Sequence, residues 1–364
     1  MDQATAFTTP TSLVSVNKTA IGQPTCPLSS TRGRPISTTP SASSIRMVTT
    51  TAPSTSAPQT EQQKDYGGGN PVFGRIVTAM VTPFKLGGEE VDYNEAERLA
   101  AYLVSSGSDA LVIAGTTGES PTLTWAEQYE LFNVVKGAVG QRAKVIAGAG
   151  SNSTTEAIEA THRAKRLGLD GTLQVSPYYN KPPQAGLIKH FEMISKSEPD
   201  LPIMLYNIPS RTGIKMQPET VTYLNTINNI VALKQATDSM EEFVNIRKNT
   251  DESFHIYAGD DGLTLPFLSL GASGVVSVAS HFIGDKLKEM VNKYRQGKVA
   301  EATAIHLQYS RLFTDLFCMT NPIPTKTALR LQGWSVGPPR LPLVDTPPEV
   351  EAKLAELLRS LSLL

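Results

Sequence analysis

The chain runs to 364 residues, enough for one large domain or two smaller ones, and its 40% of apolar residues can bury a substantial core. Its formal net charge of -1 leaves no electrostatic footprint for nucleic acid or an anionic membrane. Cys26 and Cys318 are the only cysteines and the five histidines are scattered, which excludes a disulfide framework and argues against a metal site.

Residues 1–60 are dominated by Ser, Thr and Pro, with Asp2 as the single acid against Lys18, Arg32, Arg34 and Arg46. Such a segment buries too little apolar surface to offset chain entropy, and it lacks the continuous apolar run of a secretory signal. A Ser-rich, acid-poor, weakly basic leader fits an organelle transit peptide over 1–66, with processing near Arg46 and Met47. A merely disordered tail has the same composition. Folding is expected to start near Asn70, giving a catalytic barrel over 67–297 and a C-terminal helical domain over 298–364.

From Val72 onward a short apolar strand, a turn and a longer amphipathic stretch repeat. Strands are predicted at 75–81, 110–114, 144–147, 171–175, 203–206, 231–234, 255–258 and 274–278. Helices fall between them: 93–105 puts Ala96, Leu99, Ala100 and Leu103 on one face, and 125–138 turns Tyr129, Leu131, Phe132 and Val135 inward. Alternation of this kind predicts parallel pairing through right-handed crossovers. Eight units over about 225 residues suit a closed (β/α)8 TIM barrel, fold class α/β. An open doubly wound sheet is the alternative; no strand opens into GxGxxG, and the polar punctuation recurs at every strand end, so the barrel is preferred. Beyond Gly297 only helices are expected, at 299–318, 323–331 and 350–363, with a Pro-rich interruption at 337–348. No stretch reaches the roughly 18 apolar residues of a membrane span; 263–278 reads as the seventh helix followed by the eighth strand.

In a barrel the residues just past each strand converge on one mouth. After the second strand comes Gly115, Thr116, Thr117, Gly118, Glu119, Ser120, a tight loop whose amides and hydroxyls can hold a carboxylate, or simply cap a helix. Pro177, Tyr178, Tyr179 and Asn180 follow the fourth strand, and Tyr206 to Gly213, with Arg211, follow the fifth. In the sixth, Lys234 ends the apolar run Ile230 to Leu233. Burial disfavours an ammonium's charge, and a neutral amine is what attacks a carbonyl to form an imine. A lone lysine more commonly snorkels to solvent or pairs with a carboxylate, and a tyrosine at a strand end is more often a packed ring.

GTTGES at Gly115, YYN at Tyr178, YNIPSRTG at Tyr206, ALKQAT with Lys234, GDD at Gly259 and GVVSV at Gly274 together resemble the dihydrodipicolinate synthase family. These are class I aldolase-type barrels of the pyruvate-dependent lyase superfamily, and the resemblance runs from about Phe73 through Asn321, Pro322, Ile323 and Pro324. GTTGE is shared across the superfamily, whereas YNIPSRTG is more specific, because sialic-acid lyases and sugar-acid aldolases generally lack that arginine.

The resemblance implies condensation of pyruvate with L-aspartate 4-semialdehyde on the route to lysine, without metal or organic cofactor. Lys234 would form the Schiff base, Thr117 would hold the pyruvate carboxylate, and Gly259 and Val276 would line its pocket. Thr116 would link the hydroxyls of Tyr206 and Tyr179 in a proton relay. Tyr179 would reach into the neighbouring subunit, implying a dimer at least and commonly a homotetramer of two tight dimers. Arg211 would bind the second substrate's carboxylate. Inhibition by L-lysine is expected at Ser120, Pro121, Trp125, Gln128, Asn152, Glu156 and Tyr178, where Trp125 follows the plant pattern and Gln128 replaces a histidine usual in the family. Glu119 reads as structural support. Leader and pathway together point to the plastid stroma. A lyase of 2-keto sugar acids and a catalytically silent barrel compete with this reading; Arg211 and the tyrosine pair speak against the first, and the joint presence of Lys234, Tyr206, Tyr179 and Thr116 against the second.

Overall fold

Short runs of β-branched and aliphatic residues, too brief for helices, form eight strands: β1 (Ile76–Ala79), β2 (Ala110–Ile113), β3 (Lys144–Gly148), β4 (Gly171–Val175), β5 (Ile203–Asn207), β6 (Ile230–Gln235), β7 (His255–Ala258) and β8 (Gly274–Ser277). The computed structural model describes residues 69–364, so the leader expected over 1–66 lies outside the described residues. Every neighbouring pair is parallel, and β8 pairs back onto β1 through Ile76↔Val275, Val77↔Val276 and Thr78↔Ser277, closing the barrel.

Period-2 alternation divides each strand between two cores. Val77, Ala79, Val112, Ile146, Leu173, Met204, Ala232, Tyr257 and Val276 pack with one another, filling the barrel. Their neighbours Ile76, Leu111, Val145, Leu205, Leu233 and Val275 face the helical layer. That layer consists of α1 (Tyr93–Ser105), α2 (Trp125–Val139), α3 (Thr154–Arg166), α4 (Gln184–Ser197), α5 (Pro209–Thr212), α6 (Pro218–Leu224), α7 (Met240–Lys248), α8 (Thr264–Ser269) and α9 (Ser280–Arg295). The inward faces of the first two helices follow the apolar spacing, with Ala96, Leu99, Ala100, Leu103, Leu131, Phe132 and Val135 all buried. Tyr129 is only half-buried, stacked on Trp125 at 5.8 Å between ring centroids.

Three further helices follow: α10 (Val299–Asp315), α11 (Ile323–Leu331) and α12 (Pro348–Ser360). They belong to the same compact unit as the barrel. The first ends three residues earlier than its apolar pattern predicts, and α12 starts two residues earlier, at Pro348. Proline fits the first helical turn, where the backbone N–H has no partner in any case. Among the described residues no helix is long and apolar enough to cross a membrane.

Candidate active site

Lys234 is the penultimate residue of β6, and its Cα pairs with Tyr206 on one side and Tyr257 on the other. Alternation turns it into the barrel, above Ala232, where only 6% of it is exposed. Its Nζ stands 4.3 Å from the centroid of the Tyr206 ring, close enough for the ring's negative face to attract an ammonium. Neither the Tyr206 hydroxyl nor that of Thr116 makes a hydrogen bond among the described residues, so both are open to a substrate or a proton carrier.

The loop after β2 is shaped by its own backbone. The Glu119 amide donates to Thr116 O at 3.1 Å and that of Ser120 to Gly115 O at 3.2 Å, and the Thr82 hydroxyl donates to Gly118 O at 2.7 Å. The loop packs tightly at Gly118, where a Cβ would press on the Ala114 backbone at 3.0 Å. Thr117 is buried, and its Oγ1 accepts from Asn321 Nδ2 at 2.9 Å. The Asn321 carbonyl accepts in turn from an Arg211 guanidinium nitrogen at 3.3 Å. Asn321, two residues ahead of α11, therefore spans the threonine loop and the arginine.

Arg211, on α5, borders a cavity of about 740 Å³ whose walls also include Ala236, Thr237, Asp238, Gly259, Asp260 and Phe317. Lys215, in the same wall, is ion-paired with Glu242, which leaves Arg211 as the better-placed cation for a carboxylate. Gly259 approaches β6 so closely that a Cβ would lie 2.6 Å from that of Ala236. Val276 is not part of this wall; it sits in the barrel filling, 1% exposed. Tyr179, by contrast, projects from the chain with 90% of its surface exposed on a backbone of φ 71. Within one chain it makes no hydrogen bond to Thr116 or Tyr206 among the described residues.

The residues expected to hold lysine form two groups. Gln128 is buried on α2, where its Nε2 donates to Ser120 O and Leu123 O, both at 3.3 Å, and its Oε1 has no partner among the described residues. Pro121 lies beside Ser120 in a single 3-10 turn, four residues ahead of Trp125. In the second group Asn152 Nδ2 donates to Tyr178 O at 3.2 Å, and Glu156 accepts from Ser151 Oγ at 2.7 Å.

Several groups at the mouth carried no signal in the sequence beyond motif membership. Asp261 is fully buried and receives the Ser277 hydroxyl together with the amides of Val278 at 2.9 Å and Ala279 at 3.0 Å. Burial pushes its carboxyl above the usual range while those three donors oppose the shift. Lys326, in α11, pairs with Glu119 at 2.9 Å with both side chains sealed from solvent. Burial pulls that amine down to about 8 against the opposing pull of Glu119. Nothing in IPTKTALRL, which also carries Thr325, Thr327 and Arg330, marks that lysine as buried.

Fold and mouth are those of a (β/α)8-barrel lyase. The model of the dihydrodipicolinate synthetase family matches residues 72–361. The 4-hydroxy-tetrahydrodipicolinate synthase of Microcystis aeruginosa is 57% identical over 80% of this chain and 98% of its own length, and that of Synechocystis sp. 58% identical over 80% and 97%. The solved dihydrodipicolinate synthase of Cyanidioschyzon merolae, with lysine bound, is 58% identical with a TM-score of 0.80, covering 81% of this chain and 100% of that one. The chain belongs to the dihydrodipicolinate synthetase family.

Proposed function

We propose that the chain acts as a 4-hydroxy-tetrahydrodipicolinate synthase, joining pyruvate to L-aspartate 4-semialdehyde. The observation that carries the chemistry is the buried Lys234 amine beside the Tyr206 ring at the mouth of the barrel. Its neutral form adds to the pyruvate carbonyl, and loss of water leaves an imine. The positively charged imine nitrogen acidifies the methyl group, and loss of one proton gives a nucleophilic enamine. The enamine carbon bonds to the aldehyde carbon, whose alkoxide oxygen takes a proton. Tyrosine alone donates poorly near neutral pH, and a hydroxyl chain of Tyr206, Thr116 and a neighbouring subunit's Tyr179 can pass a proton to or from solvent. The amino group of the second substrate then attacks the imine carbon, expelling the Lys234 amine and closing the ring.

In this reading Thr117 holds the pyruvate carboxylate while Gly259 and Val276 bound its pocket, and Arg211 grips the carboxylate of the semialdehyde with its planar fork. The exposure of Tyr179 supports a tight dimer in which each chain completes its partner's site, and a pair of such dimers makes the tetramer. Lysine inhibition is supported by the 58%-identical relative solved with lysine bound. For its site we propose Ser120, Pro121, Trp125, Gln128, Asn152, Glu156 and Tyr178, with Glu156 facing the ligand's ammonium and Trp125 its ring-side contact. A plastid address is supported by the leader's composition, which precedes the family match, and by cyanobacterial relatives. Turnover measured side by side on the semialdehyde and on 2-keto sugar acids decides the substrate. Condensation with the semialdehyde is expected, and cleavage of a sugar acid in its place contradicts the reading.

A further inference from the structure

Glu119 is held at φ 57 and ψ 35, a left-handed backbone that is unfavourable for a non-glycine residue. Such conformations persist only where the surroundings over-determine them. Here Glu119 Oε1 accepts from Lys326 Nζ at 2.9 Å and Oε2 from the Arg340 amide at 2.8 Å. The lysine also donates to Pro338 O at 3.0 Å and stands 4.0 Å over the Phe84 ring. Replacing a buried pair of this kind by apolar groups of the same volume is often neutral for stability. Stability alone therefore gives no reason for two sealed charges.

What the pair does control is one turn. The Glu119 amide closes onto Thr116 O, so the glutamate's backbone sets the direction in which Thr116 and Thr117 are presented. Five residues before Lys326, Asn321 grips the Thr117 hydroxyl and accepts from Arg211. The segment from Asn321 into α11 thus touches the loop at two points and reaches the arginine as well.

We propose that Lys326 is a positioning residue for the reaction: through its ion pair with Glu119 it fixes the Thr116–Thr117 loop, so that the C-terminal helices help set how the keto-acid carboxylate is held. The proposal rests on the reading of Lys234 as the imine-forming amine and of Thr117 as the carboxylate's partner.

The test is borohydride trapping on Lys234 across a range of pyruvate concentrations, with kcat measured alongside. The paired change Glu119→Gln with Lys326→Met removes both charges and leaves neither stranded. Folded double variant, verified by near-UV circular dichroism, is expected to need about ten-fold more pyruvate or more for half-maximal trapping. Its kcat at saturating pyruvate should fall far less than its kcat/KM. A half-maximal concentration equal to wild type in the folded double variant overturns the proposal. If the pair does not fold, Glu119→Gln alone decides: a rise of about three-fold supports the positioning role and no rise overturns it. Wild-type protein that gives no adduct on Lys234 is a separate failure, of the lyase reading, and takes this proposal with it.

Discussion

Lys234 owes its setting to two strand registers, which place it between Tyr206 and Tyr257 with its side chain inside the barrel. That setting holds the amine beside the Tyr206 ring at the mouth, where a carbonyl compound entering the barrel meets it. At Arg211 the relevant property is shape. Arg211→Lys keeps the charge and loses the fork, so the KM for the semialdehyde is expected to rise about ten-fold while imine trapping with pyruvate persists; an unchanged KM removes Arg211 from the second-substrate site. Glu156→Gln is expected to raise the lysine concentration for half-inhibition by about ten-fold in the same assay. Lys234 and Tyr206 were legible because each sits near the end of a recognisable strand, and Arg211 because it falls in the turn just past β5. Asn321, Lys326 and Arg340 were not, because their partners in the threonine loop lie 204, 207 and 221 residues away, and nothing local in a chain records contacts of that range.

At the scale of elements, the apolar runs gave all eight strands to within a few residues, because each strand's burial is written in its own side chains. What the runs did not give is how tightly neighbouring elements approach. Gly274 opens β8, where a Cβ would stand 2.0 Å from Arg75 O on β1's side of the closure. Gly274→Ala is expected to cost on the order of 3 kcal/mol and to lower the thermal midpoint measurably. The junction after β8 carries a second liability. His281 is fully buried, its Nδ1 on Val278 O at 2.8 Å and its Nε2 accepting from the Val81 amide at 3.2 Å, an arrangement only a neutral ring satisfies. Burial holds His281, like His190 and His255, down to about 4 from the ordinary 6.5. As pH falls through 6.5 the unfolded chain takes up these protons first, so stability that is complete above 6.5 is lost progressively down to about 4. Each ring contributes on the order of 2–3 kcal/mol to that loss. Denaturant midpoints across this window should fall with acid, and His281→Asn, which keeps a donor for Val278 O, should flatten the slope; a slope unchanged by the substitution contradicts the assignment.

At the scale of the whole molecule, one chain leaves Tyr179 on its surface with 90% exposure, while the proton relay proposed here needs that hydroxyl beside Thr116. A shared active site resolves the two. It predicts complementation: inactive Tyr179→Ala and inactive Lys234→Ala chains, unfolded and refolded together, form mixed dimers with one intact site each. Random mixing then restores about a quarter of wild-type activity. No restoration contradicts the shared site. The sequence could carry this only through resemblance, because an interface is a property of two chains and a single chain's periodicity reports burial against itself. The leader's role belongs to the same scale, and comparing import of the full chain into isolated plastids and mitochondria tests it.

The most direct measurement is borohydride reduction of the protein with pyruvate present, followed by mass spectrometry to locate the modified residue. A single pyruvate adduct on Lys234, absent from Lys234→Ala protein that remains folded, is the expected result. An adduct on another lysine, or turnover that survives Lys234→Ala, contradicts the account at its centre.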